Sequence, residues 1–69
     1  MTEYFTKLRP IRKAQGKTQK DVADIIGVSE RQYRSYETGE IDMPVLRLIA
    51  FCRYFGVSAD YLLGLTDER

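Results

Sequence analysis

The stretch Thr18–Thr38, TQKDVADIIGVSERQYRSYET, decides the fold. Thr18 carries a hydroxyl able to accept from a first-turn amide, and Asp21 follows where an acid favours the positive end of a helix dipole. Val22, Ala23 and Ile26 supply one apolar face, which predicts a helix over about residues 18–26. Gly27 then stands where a left-handed residue closes a helix. Only Val28 separates it from Ser29, which with Gln32 spells an S-x-x-Q capping box opening the next helix. Two helices joined by so short a turn must cross steeply, and Ala23 is the small side chain their close approach requires. Tyr33 and Tyr36, three apart, share the inward face, while Glu30, Arg31, Arg34 and Ser35 line the other. Gly39 ends the helix.

The same punctuation extends outward. Downstream, Asp42 is expected to cap a fourth helix with Pro44 in its first turn, where a missing amide proton is harmless. Val45, Leu48, Cys52 and Phe55 repeat along that helix at helical spacing. Ser58 and Asp60 open a short fifth helix with Tyr61, Leu62 and Leu63 before Gly64, and the tail from Thr66 to Arg69 is expected to fray. Upstream, Tyr4, Phe5, Leu8 and Ile11 keep helical spacing straight through Pro10, so the first helix starts late or kinks, and Gly16 ends it. No stretch alternates apolar and polar long enough to read as a strand. An all-α fold of five helices in one domain, residues 1–69, follows.

Composition narrows the function. The 69 residues are 43% hydrophobic and 12% aromatic, ordinary for a folded chain. Histidine is absent and Cys52 is the lone cysteine, so disulfide frameworks, imidazole or thiolate metal sites and histidine-dependent nucleophiles are excluded. No enzyme, metal or cofactor is expected; Asp21 with Asp24 on one helix face is a poor acid-base pair. The longest unbroken apolar run, Leu48 to Cys52, is too short for a membrane span, and the start of the chain does not read as a signal peptide. A reducing cytoplasm is the expected compartment. The formal charge of +1 hides an asymmetry: residues 1–36 carry eight basic against four acidic side chains, and residues 37–69 three against six. The positive half can meet a polyanion although the whole is near neutral.

Gln19, Ala23, Gly27, Tyr33 and Tyr36 fall where a helix-turn-helix unit, about residues 18–38, wants a polar first residue, a small contact, a turn glycine and two inward side chains. With Arg12 and Gly16 before "TQ", then "YETG" and "FGVSADYLLG", the chain from Leu8 to Leu65 resembles the lambda-repressor-like, or Xre, family of DNA-binding regulators. The resemblance implies that the helix at Ser29 to Thr38 enters the major groove. The family's base-contacting positions correspond to Glu30, Arg31 and Ser35, with Gln32 a further candidate. Arginine suits the paired acceptors of guanine and a carboxylate the cytosine amino group. The alternative reading is that Glu30 serves only the helix dipole and Gln32 only the cap. Gln19 matches the position that holds the sugar-phosphate backbone; Lys17, Lys20, Arg34 and Thr38 are neighbouring phosphate candidates. Arg12 and Glu37 match a pair that relatives join as a salt bridge beneath the recognition helix. Cys52 stands where an alanine is usual and reads as core.

Three departures from the family pattern stand out. Pro10 interrupts the first helix, Tyr33 replaces an aliphatic residue, and Glu40 with Asp42 makes the following loop acidic. The proline after the glycine also comes one residue late, so the family's loop contacts do not carry over.

The expected function is therefore a sequence-specific transcriptional repressor binding double-stranded DNA as a homodimer on a twofold operator. Tyr61, Leu62 and Leu65 are the expected dimer surface, with Leu62 equally readable as core. The competing reading keeps the fold as a protein-interaction module of the antitoxin or antirepressor type, docking through the acidic half.

Overall fold

The computed structural model describes residues 3–68; the tail's Arg69 and the first two residues lie outside that range. A 3-10 turn, Tyr4–Lys7, runs into α1 (Leu8–Ala14), followed by α2 (Gln19–Ile26), α3 (Glu30–Thr38), α4 (Val45–Phe55) and α5 (Ala59–Leu62). No strand occurs among the described residues.

Pro10 is the third residue of α1, where an amide has no intrahelical acceptor in any case. The proline therefore sets where the α-helix begins rather than breaking it, and the segment before it winds as 3-10. At α2 the expected cap is reciprocal: Thr18 Oγ1 accepts from Asp21 N at 3.0 Å and Asp21 Oδ2 from Thr18 N at 2.9 Å. Gly27 takes φ 80° and both its amide and that of Val28 return to the Ala23 carbonyl at 2.9 Å. This double closure is the Schellman-type stop that turns the chain into α3 within two residues.

Two expectations about caps are corrected. Ser29 Oγ accepts from Gln32 N at 3.1 Å, but the Gln32 side chain does not reach back; it donates to Tyr36 Oη at 2.6 Å, one turn ahead. The box is half formed because a phenol on the same helix face lies at i+4 and captures the amide. Asp42 does not cap α4, and Pro44 is the N-cap itself rather than a first-turn residue. A residue preceding proline is biased away from helix, so α4 cannot begin before Pro44. Met43, buried, donates its amide to Tyr4 Oη at 2.8 Å, and the same hydroxyl points to Asp42 Oδ1 at 3.5 Å. The loop is thus pinned to the amino-terminal turn.

The core gathers Leu8 and Ile11 of α1, Val22, Ala23 and Ile26 of α2, Tyr33 and Tyr36 of α3, Leu48, Phe51 and Phe55 of α4, and Leu62 of α5. Tyr33 and Tyr36 turn fully inward, their rings edge to face at 6.3 Å. Cys52 is buried among them, and burial pushes its thiol pKa up. Arg47 anchors α4 to the end of α2 by donating to the Ile26 carbonyl at 3.1 Å. The result presents α3 outward, with the first turn of α2 beside it.

Candidate nucleic-acid interface

Beneath α3 lies an ion pair drawn from two distant segments. Arg12 Nε donates to Glu37 Oε2 at 2.7 Å and Nη2 to Oε1 at 3.3 Å, with both side chains under a tenth exposed. Arg12 Nη1 also holds the Lys17 carbonyl at 2.9 Å, which fastens the loop leading into α2. Burial would raise the Glu37 carboxyl, but hydrogen bonds from Arg12 and Gln19 and the Arg12 charge outweigh it and hold the group below the usual range. The Tyr33 hydroxyl is buried beside the pair without a well-aligned hydrogen bond, and desolvation next to the Glu37 charge holds its pKa far above that of a free phenol.

This pair passes its order to the surface through Gln19. Its Nε2 donates to Glu37 Oε1 at 3.2 Å, and its Oε1 accepts from Arg34 Nε at 3.3 Å. Arg34 Nη2 in turn meets Glu30 Oε2 at 3.2 Å. A continuous chain thus runs Arg12, Glu37, Gln19, Arg34, Glu30 from interior to rim. Glu30 and Arg34, each about half exposed, remain wet enough for their contact to exchange with an incoming ligand.

The remaining candidates sort by what already holds them. Ser35 Oγ donates back to the Arg31 carbonyl at 3.2 Å, which leaves its acceptor capacity available, whereas Thr38 Oγ1 donates to the Ser35 carbonyl at 3.1 Å and accepts from Glu40 N at 3.4 Å. Gln32 is committed to Tyr36. Lys20 forms only an exposed pair with Asp24 at 3.5 Å. Lys17 leans over the Tyr54 ring, 5.9 Å from its centroid, and so sits toward α4. Arg31 is exposed, and its guanidinium has no hydrogen-bonding or ionic partner among the described residues.

An open groove of about 640 Å³ lies in front of α2, lined by Arg9, Lys13, Lys17, Thr18, Gln19 and Glu30 as well as the buried pair. Arg9 and Lys13 were not picked out by sequence reasoning. Their i, i+4 spacing beside Arg12 was the available signal: it sets both on one face of α1, turned to the same side as the start of α2. The groove is predominantly cationic and is bordered by Thr18 and Gln19 at the start of α2.

Of the expected dimer surface, Leu62 is turned inward. Leu62 is fully buried and belongs to the core, because α5 is only one turn long and needs that residue to dock. Tyr61 is half-buried under Lys7, whose Nζ lies 4.5 Å from the ring centroid and donates to the Tyr61 carbonyl at 2.7 Å. Leu65 alone is well exposed.

Among the described residues no group of histidine, cysteine, aspartate or glutamate could hold a metal, and no helix is long and apolar enough to cross a membrane.

A helix-turn-helix family model, HTH_3, matches residues 8–62. The chain is 38% identical over 65 residues to the uncharacterized HTH-type transcriptional regulator YobD of Bacillus subtilis, covering 94% of this chain and 58% of that one. It is 41% identical over 60 residues to the cryptic phage CTXphi transcriptional repressor RstR of Vibrio cholerae, covering 84% and 54%. The chain therefore spans little more than half the length of either relative. Among solved structures, the P22 c2 repressor in complex with a synthetic operator superposes with a TM-score of 0.83 at 25% identity, covering 91% of this chain and 96% of that one.

Proposed function

The chain belongs to the HTH_3 helix-turn-helix family, and on that premise we propose that it is a sequence-specific transcriptional repressor that occupies duplex operator DNA through the major groove. The observation that carries this reading is Arg31: a cation on the outward face of α3, one residue inside its amino terminus, whose guanidinium has no partner among the described residues. A guanidinium so placed offers a planar pair of donors to the two acceptors on a guanine edge. That an operator complex of the P22 c2 repressor shares the fold supports the same orientation.

In this reading Arg31 is the principal base reader, with Ser35 and Glu30 beside it. Gln32, tied to Tyr36, shapes the helix face and is a secondary candidate. Gln19 and Arg34, already oriented by Glu37, meet one phosphate; Lys20, Thr38 and Lys17 flank it, and Arg9 and Lys13 extend the cationic groove along the backbone. Glu30 changes role on binding: phosphate displaces it from Arg34 and frees its carboxylate for a cytosine amino group. One helix reads too few base pairs to select a genomic site, so the protein acts as a homodimer on two half-sites about 34 Å apart. It acts in the cytoplasm, without enzymatic activity, and represses by steric exclusion.

Selection of bound duplexes from a random pool, followed by a salt titration on the winner, tests the proposal. A twofold-symmetric consensus is expected, with log Kd rising against log salt by about 0.9 per phosphate neutralised. A salt-independent affinity, or no enriched sequence, would overturn it in favour of a protein-binding module.

A further inference from the structure

Leu62 is unavailable, yet the molecule exposes apolar surface elsewhere. On α4, Val45, Leu46 and Ile49 are 68, 77 and 42% exposed. Their spacing of one, three and four residues places them on one stripe of the helix, away from the face formed by Leu48, Phe51 and Phe55. Three large aliphatic side chains side by side on one short helix are more than scattered surface apolarity.

The charges at the two ends of this stripe identify its occupant. Glu40 and Asp42 are exposed just before the amino terminus of α4, and Arg53, four residues beyond Ile49, is exposed in its last turn. Arg53 has no ionic partner among the described residues, and neither acid is in an ion pair there. The stripe is thus acidic at one end, apolar in the middle and basic at the other, a pattern complementary to itself when reversed. A twofold axis crossing α4 between Arg47 and Leu48 would set Leu46 against Ile49 of the other copy, twice. The same axis brings Arg53 opposite Asp42 at both ends. Isologous pairing requires self-complementarity of this kind.

We propose that α4 is the dimer interface: two copies pack their α4 helices antiparallel through Leu46 and Ile49, with Arg53 and Asp42 fixing the register. The inference deepens the repressor reading by naming the surface that joins two half-site readers, but the pairing is a property of the free protein. A single-helix stripe is a small seam beside the roughly 1,000 Å² that a stable interface buries, so self-association is weak and depends on concentration.

Sedimentation velocity between about 10 µM and 1 mM, the range of weak association, reads the equilibrium directly. A concentration-dependent dimer is expected, and Leu46→Glu is expected to raise the dissociation constant at least about tenfold by burying a carboxylate in the seam. The decisive arm uses charge. Arg53→Asp and Asp42→Arg each bring like charges together and are expected to be monomeric alone, whereas an equimolar mixture restores both ion pairs and forms a heterodimer. These positions are exposed, and circular dichroism verifies that each variant folds. A wild type that stays monomeric throughout, a dimer indifferent to Leu46→Glu, or a mixture that fails to associate would overturn the proposal. A monomer that still selects a duplex sequence refutes only the α4 pairing; a dimer that selects none refutes the repressor reading instead.

Discussion

Gln19 Nε2 donates to Glu37 Oε1 across 3.2 Å, tying the first residue of α2 to the last turn of α3. Because Glu37 is itself held by Arg12, the side chain proposed to meet a phosphate is oriented by an ion pair that is almost wholly buried. Stability and recognition therefore share one network, and substitutions along it should separate by depth.

Arg12→Ala strands the Glu37 charge in a nearly dry site. A loss of about 3 to 5 kcal/mol is expected, a large share of what a domain this small possesses. Urea denaturation measures it. Under conditions that keep the variant folded, its affinity for duplex should fall far less than its stability; an unchanged melting temperature with lost binding would show that Arg12 contacts DNA directly.

The pH dependence has two limbs. The Glu37 carboxyl is held below its usual value of 4.5, so its contribution is full above that value and is lost as pH falls through the lowered folded-state one. Acid unfolding of Glu37→Gln should accordingly be shallower than that of the wild type. The Tyr33 phenol is raised above its usual 10.0, so its contribution is intact below pH 10 and is lost as pH climbs toward the raised value. Tyr33→Phe should flatten the alkaline limb. Thermal melts across the pH range report both.

Arg31→Ala and Lys20→Ala should differ in kind. Losing the base reader is expected to weaken binding to the selected sequence by about 1 to 3 kcal/mol and relax preference at one position. Losing the lysine should weaken all duplexes alike and lower the salt slope by about one. Fluorescence anisotropy on matched and mismatched duplexes distinguishes them, and equal effects on every sequence for Arg31→Ala would contradict its assignment as a base reader.

Gly39 has φ 80°, and a Cβ there would come within 2.7 Å of the Phe5 ring. Gly39→Ala combines left-handed strain with overpacking against that ring, an expected loss of about 2 to 4 kcal/mol. Gly16 has φ 67° but open space around the added carbon, so Gly16→Ala should lose only about 1 to 2 kcal/mol. Chemical denaturation of the two variants side by side checks the difference.

What the sequence by itself determined are features written within a few residues: the Thr18 cap, the Gly27 turn, the small Ala23 at the helix crossing and the inward pair Tyr33 and Tyr36. Each depends on backbone sterics or on side chains one turn apart, so spacing along the chain is enough to read it. Only the tertiary structure decided that Gln32 serves Tyr36 instead of its cap, that Asp42 leaves α4 uncapped, that Leu62 is core, and that Gln19 links Arg34 to Glu37. The first of these is a contest between two local partners, the Ser29 amide and the Tyr36 hydroxyl, which distance settles. The others depend on residues far apart in the chain, such as Tyr4 with Met43 and Arg12 with Glu37, whose meeting is fixed by how the helices pack. A polar side chain with several partners in reach takes the one that packing brings nearest, and no local pattern records that choice.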